Sequence, residues 1–590
     1  METLPRSEYP RPQFVREEWI NLNGWWSCEF DFSNSGIERG RAASHGFSQK
    51  ILVPFCPESR LSGIGFRDFI PAMFYHRKLT IPKEWKDRRI LLHFGGVDYE
   101  CEGFINGKCV GNHFGGTVSF AWDITEEAAP GETVDFVLRV FDDIRSHTQA
   151  GGKQSTSYGS AGCHYTRTTG IWQTVWMEPV AQNALKSCRV IPLLDDGAFS
   201  FQPEFFESSG EHRLHVRVSI GDKTAEGSCI AQNGGSLTLS LPEIRPWSPE
   251  DPFLYDIRYT VTDSRGTVTD RVSSYAGLRK IHTANGKLYL NNRPLYLRLV
   301  LDQGFYPDGI WTAPSDEALR RDIELSREAG FNGARLHQKV FEERFHYWAD
   351  RLGYLTWGES SSWGCACFSG APDSQEVFWK GAFRFLEEWK EIVKRDRNHP
   401  SIIAWTPTNE TGTCARLRAS YRSIITALYQ STKDLDPTRP VNDCSGYTHV
   451  KTDLWTVHSY ASDAAALRDQ LAPAGKAVME GKAEEVPYDG QPYLVDEYGG
   501  IRYLSPGQTP YAENSWGYNK QEIRTPEDYC RKIRELTDTI LDIPSLCGYC
   551  YTQLTDVEQE ENGIYHYDRT PKVPKETLFE IFSRVPEPYQ

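Results

Sequence analysis

The chain has 590 residues, a formal net charge of −15, 39% hydrophobic and 25% charged residues. That length exceeds one hydrophobic core and predicts two to four domains, while the acidic balance offers no basic excess for phosphates and excludes a nucleic-acid partner. No run of about 18 apolar residues offers a membrane span. Residues 1–19 are polar and proline-broken, without the apolar centre of a signal peptide, so a cytoplasmic location is expected, with the 14 cysteines reduced.

Up to residue 180 the pattern is short alternating strands broken by Gly, Pro and Asn, as in Arg89–Phe94, 102–105 and 134–140. Asn106 and Gly107 between two such runs predict a hairpin turn, since both tolerate positive φ. This reads as a β-sandwich. Residues 181–277 continue as β-structure, with strands at 214–220 and 237–241, and have the length of an immunoglobulin-like sandwich.

After Gly277 strands alternate with helices. Strands are predicted at 295–301, Gly333–Leu336, 354–357, 402–405, 441–444, 455–457, 493–495 and Leu546–Thr552. Helices are predicted at 315–329, 341–352, 375–395, 415–433 and Pro526–Leu541. Ser315 begins a capped helix and Gly330 stops it. Eight βα units predict a (β/α)8 barrel for 278–590. The pairs Cys365 with Cys367 and Cys547 with Cys550 resemble metal or redox spacings, but without a matching second pair they read as packing.

The barrel strands carry chemistry at their C-terminal tips, where such barrels place catalytic groups. Segment 401–410 is a β-branched apolar run ending on Asn409 and Glu410, and 493–497 ends on Asp496 and Glu497. Two carboxylates about 5 Å apart are what a retaining glycosidase needs. Glu410 is assigned as acid/base and Glu497 as nucleophile. Asn409 is expected to bind the sugar 2-hydroxyl, with capping of the following helix as its structural alternative. Arg335 and His337 end the second strand, and an Arg there could hold a carboxylate ionised or staple neighbouring strands. Asp302, Gln303, Glu359, His458, Tyr460, Tyr551 and Gln553 complete a polar mouth expected to bind substrate, with Tyr460 placed to hydrogen-bond the nucleophile. Dinucleotide, zinc-protease, phosphate-loop and serine-elbow motifs are all missing. No cofactor or metal is expected.

These residues resemble glycoside hydrolase family 2 over nearly the whole chain. The resemblance is carried by Leu22, Asn23, Gly24 and Trp25, then Val53, Pro54 and Phe55, and by Ile105, Asn106 and Gly107 continuing to Gly115 and Gly116. Asp123, Ile124 and Thr125, and Thr169, Gly170, Ile171 and Trp172, add to it. In the barrel it rests on Asn398, His399 and Pro400 running to Glu410, on 496–499, and on 551–558. It implies a sugar-binding jelly roll at 1–180, an immunoglobulin-like domain at 181–277 and a catalytic barrel at 278–590. It further implies retaining exo-hydrolysis of a carbohydrate, with dimers or tetramers common among relatives. His164, in a first-domain loop before Thr169, then falls where relatives place a residue in the active site. Bacterial β-glucuronidases of the family grip the substrate carboxylate with an Asn-x-Lys element. Here Asn562, Gly563 and Ile564 lack the Lys, and Glu560 and Glu561 stand nearby to repel a uronate. The magnesium site of large β-galactosidases is also altered, since Glu359 is followed by Ser361 rather than by His two residues later. A β-galactosidase acting on terminal neutral sugars is therefore expected. The alternatives are a β-glucuronidase, an α-L-arabinosidase or another family 2 specificity. A carbohydrate-binding protein without catalysis is the reading from a different class, and the intact Glu410 and Glu497 motifs weigh against it.

Overall fold

The structure is a computed structural model that describes residues 4–208, 210–368, 374–412, 415–472, 474 and 486–589. The first unit is a sandwich of two antiparallel sheets. One has four strands in the order Ile20–Asn21, Val175–Val180, Arg89–Phe94 and Phe120–Asp123. The other has six strands, in which Thr133–Phe141 pairs with Ala72–Thr80 on one side and Glu100–Ile105 on the other. Alternation places Phe136, Leu138 and Val140 on the inner face with Trp26, Tyr75 and Leu92. Asn106 (φ 49°) and Gly107 (φ 84°) form the predicted hairpin turn into Lys108–Phe114.

A second sandwich follows. Leu185–Leu193, Ala198–Phe205 and Leu237–Ser240 form one sheet. Lys223–Ile230, Arg213–Ile220, Tyr255–Thr262 and Val268–Ala276 form the other. Trp247, in the connection between Leu237–Ser240 and Tyr255–Thr262, is fully buried and donates its Nε1–H to the Asp350 carbonyl at 2.7 Å, which fastens this unit to the barrel.

The barrel strands are β1 (Leu297–Asp302), β2 (Gly333–Leu336), β3 (Leu355–Glu359), β4 (Ile402–Thr406), β5 (Cys444–Ser445), β6 (Trp455–Ser459), β7 (Tyr493–Gly499) and β8 (Leu546–Thr552). Seven form one parallel sheet in the order β4, β3, β2, β1, β8, β7, β6. Pro407 interrupts β4, and the chain resumes as Thr408–Asn409, which pairs with β5 to fill the gap between β4 and β6. The helices are α1 (Asp316–Glu328), α2 (Glu343–Leu352), α3 (Gln375–Asp396), α4 (Arg418–Leu435), α5 (Ala464–Leu471), α6 (Pro526–Leu541) and α7 (Lys575–Phe582). Among the described residues, no helix separates β5 from β6. Ser315 caps α1 by accepting from the Ala318 N–H at 3.2 Å, as its sequence predicts. A three-stranded meander over 281–295 closes the lower end, so Ile281 and Leu288 share a core with Leu299, Trp357 and Leu494. Among the described residues, no helix is long and apolar enough to cross a membrane, and the cysteines are unbridged.

Segment 151–166 of the first unit leaves its sandwich and lies across the barrel mouth. Gly151 donates to the Trp363 carbonyl (2.8 Å) and Gly152 to that of Ser361 (3.1 Å). On the far side the Thr166 N–H reaches Glu558 (3.0 Å), and the Gln559 amide reaches the Gly162 carbonyl (2.7 Å). Gly152 has φ 57°, and a Cβ there would collide with the Gln338 carbonyl oxygen. Gly152→Ala is thus expected to push this segment off the barrel and cost at least about 1 kcal/mol of stability. A fall in kcat/KM alongside a lower Tm would bear this out, and an unchanged kcat/KM would not.

Candidate active site

Arg335, at the tip of β2, is fully buried and organises the mouth. Its Nε donates to Glu359 Oε2 at 2.7 Å and its Nη1 to Glu497 Oε1 at 2.8 Å. Its Nη2 donates to Asn409 Oδ1 (2.5 Å) and to His337 Nδ1 (2.9 Å). One planar fork therefore fixes side chains from β3, β4 and β7. Burial and the adjacent guanidinium push the His337 imidazole well below its ordinary pKa, so it is neutral and free to accept from Arg335.

The register between β6 and β7 slips after Val457, so that His458 stands opposite Glu497 rather than Asp496. His458 Nδ1 lies 2.7 Å from Glu410 Oε1, and its Nε2 is 3.3 Å from Asp496 and 3.5 Å from Glu497. Burial alone would lower this imidazole, but Glu497 and Asp496 reverse that and hold it well above its ordinary pKa, as an imidazolium. Burial likewise works against ionisation of Glu497. The charges on His458 and Arg335, together with the hydroxyl that Tyr460 donates to Oε2, outweigh it and keep the carboxyl well below its usual range. One oxygen of Glu410, one of Glu497 and a His458 ring nitrogen lie within 4.8 Å of one another.

Asn409 Oδ1 is committed to Arg335, which fixes the orientation of the amide, and its Nδ2 is buried without a partner among the described residues. Among the described residues its side chain caps no helix, and α4 begins after Leu417 with no side-chain cap. Glu410 sits at φ 48°, a left-handed conformation costing about 1 kcal/mol or more for a residue with a Cβ. Its N–H is held by the Ser445 carbonyl at 2.9 Å.

Two family models match the chain. Residues 281–585 match "Glycosyl hydrolases family 2, TIM barrel domain" and residues 184–279 match "Glycosyl hydrolases family 2". The chain belongs to glycosyl hydrolase family 2. It is 26% identical to a β-glucuronidase of Canis lupus familiaris, over 73% of this chain and 69% of that protein. It is 24% identical to a β-galactosidase of Psychromonas ingrahamii, over 68% of this chain and 37% of that protein. The structure of Ruminococcus gnavus β-glucuronidase superposes with a TM-score of 0.80 at 19% identity, covering 98% of this chain and 100% of that one. That likeness establishes the three-part fold.

As a family 2 member the protein is a glycoside hydrolase, and its mouth holds most of the residues expected there from sequence. Glu410, Glu497, Asn409, Arg335, His337, His458 and Tyr460 form one connected cluster. Gln303 donates to the Tyr165 hydroxyl (3.2 Å), which donates to Glu560 (2.5 Å). Asn562 donates to the other oxygen of Glu560 (3.1 Å) and accepts from Gln553 (2.7 Å). His164 does reach the mouth, with its ring 5.4 Å from that of Trp363, whose Nε1 donates to the Asn409 carbonyl at 2.9 Å.

Three expectations are corrected. Tyr551 faces outward, between Tyr498 and Phe582 under the helices, because its position on β8 points away from the barrel axis. Asp302 turns toward Asp322, Arg569 and Lys339, and one of its oxygens caps the Gly304 N–H at 2.9 Å. Glu359 is spent on Arg335 and on the Gln338 N–H at 3.1 Å, so it braces the cluster. Sequence reasoning missed Lys153, Trp363, Ser445 and Tyr518. Ser445 bridges His458 Nε2 (2.9 Å) and Asp496 Oδ2 (2.5 Å), and Tyr518 stacks on Tyr460 at 3.5 Å. The available signal was the glycine pair before Lys153 in a segment with no strand pattern.

Proposed function

We propose that the protein is a retaining exo-β-glycosidase working by double displacement, with β-D-glucuronides as its substrates. The observation that carries the mechanism is the spacing of Glu410 and Glu497, whose nearest oxygens lie within 4.8 Å. That separation suits direct attack by a carboxylate and leaves no room for an intervening water on the opposite face. Glu497, kept ionised by Arg335 and His458, attacks the anomeric carbon. Glu410 gives its proton to the departing glycosidic oxygen and then takes one from the water that releases the sugar. The free Nδ2–H of Asn409 binds the 2-hydroxyl, a contact that tightens as the ring gains positive charge.

Glucuronide replaces the neutral galactoside expected from sequence for two reasons. The relatives named above include β-glucuronidases matched over most of their length. The acids that argued against a uronate are also already engaged. Glu561 pairs with Arg502 at 2.8 Å, and Glu560 accepts from Tyr165 and Asn562 while burial pushes its carboxyl upward. A panel of p-nitrophenyl β-glycosides tests the substrate. Glucuronide release should exceed galactoside, glucoside and mannoside release, and fastest release from the galactoside would sink the uronide reading.

Tyr460→Phe removes the hydroxyl donated to Glu497. The nucleophile's pKa should then rise, shifting the acidic limb of kcat/KM to higher pH, with kcat down about 10-fold or more. An acidic limb that stays put would separate Tyr460 from the nucleophile.

A further inference from the structure

Lys153 lies within the clamped segment, next to Gly152, and its side chain is carried into the barrel mouth. The residue is only 6% exposed. Its Nζ stands 4.2 Å from the centre of the Trp363 ring, the same ring that fixes the Asn409 backbone. Among the described residues Nζ makes no ion pair and no hydrogen bond, so three N–H donors are unspent. The other cations nearby are already hydrogen-bonded or ion-paired. Arg335 is bound to Glu359, Glu497, Asn409 and His337, and His458 lies between Glu410 and Asp496. Lys339 gives its protons to the Gly304 and Trp311 carbonyls. Lys153 is therefore the cation at the mouth, among the described residues, whose three donors are all left for a ligand. Burial alone would lower its pKa, but Cys163 and the carboxylates of Glu560, Glu497 and Glu410 raise it above the ordinary value, so it enters the site charged. A buried ammonium without a hydrogen-bonded anion is costly, and an incoming carboxylate removes that cost.

We propose that Lys153, delivered by the first domain, binds the carboxylate of a uronide substrate and takes the place of the lysine missing from 562–564. The assignment rests on the uronide reading above and deepens it. The sugar is held from two directions, with Asn409 on the barrel fixing the 2-hydroxyl and Lys153 on the sandwich fixing the acid group. The face of Trp363 holds the ammonium between them.

The test compares wild type with Lys153→Met, which keeps the apolar stem against Trp363, and with Lys153→Arg, which keeps the charge. Each is assayed on p-nitrophenyl β-D-glucuronide, β-D-galacturonide, β-D-glucoside and β-D-galactoside. Lys153→Met should lower kcat/KM on the uronides about 100-fold or more, mostly through KM, and leave the neutral glycosides within about 3-fold. Lys153→Arg should recover part of the loss. Equal losses on all four substrates would mean a structural role and overturn the assignment. If wild type prefers the galacturonide and loses it in Lys153→Met, Lys153 stands and the glucuronide reading falls. If the glucuronide is cleaved equally by wild type and Lys153→Met, the glucuronide reading stands and Lys153 falls. A wild type that cleaves only neutral sugars removes both.

Discussion

Glu497→Gln is expected to abolish turnover, with kcat falling on the order of 10⁵-fold, while the fold remains intact. The amide oxygen can still accept from Arg335, Glu359 still neutralises the guanidinium, and the Tyr460 hydroxyl can turn to accept from the new amide N–H, so the fold of the cluster is kept. What disappears is the negative charge that attacks carbon. The same change has a pH signature. A carboxyl whose folded pKa is depressed contributes stability that is present above its unfolded value of about 4.3 and is lost as pH falls through the folded value. Wild type should therefore be more stable than Glu497→Gln at neutral pH, with the difference closing in acid. Thermal melts at both pH values check this, and an activated 2-fluoro glycoside should label Glu497 covalently in wild type alone. Near-normal turnover by Glu497→Gln would remove it from the nucleophile role.

Glu410→Ala has a different expected profile. Without a proton donor, glycosides with poor alkyl leaving groups should lose about 10³-fold or more in kcat/KM, whereas a dinitrophenyl glycoside should lose about 10-fold or less. The second step still needs a base, so the glycosyl-enzyme should accumulate and appear as a burst of aglycone. Azide, which attacks without deprotonation, should restore turnover and give the β-glycosyl azide. Losses of equal size on both leaving-group types would mean that Glu410 does not protonate the leaving oxygen. The substitution also frees Nδ1 of His458, so melting curves are needed to separate chemistry from unfolding.

The barrel and the polar tips of its strands were legible because they are local. A β-branched run that stops on Asn409 and Glu410 encodes both a buried strand and its polar end. A tip position does not encode which way the side chain faces. Tyr551 and Asp302 lie at the ends of their strands but point into the outer layer, and the slip between Val457 and His458 shifts facing by one residue where alternation would be trusted. Strand 5 was expected at 441–444 but ladders only at Cys444–Ser445, apart from a single bridge from Val441 to Trp405. There the break at Pro407 sets the pairing. Glu359 was read as a sugar ligand because its partner, Arg335, is 24 residues away on another strand. Lys153 was invisible for the same reason on a larger scale, since its place depends on where a loop of one domain docks on another.

The clamped segment also sets when activity arises during synthesis. Tyr165 and its partner Glu560 are 395 residues apart, so the ribosome makes one long before the other. The first sandwich can close on its own strands, but 151–166 then has water in place of Trp363, Glu558 and Gln559. A growing chain that has not yet reached β8 carries both Arg335 and Glu497 beside an unclosed sheet edge and an unwalled pocket. Hydrolysis is therefore expected to begin only when the last strand and its loop are in place, with a partly made chain silent toward substrate.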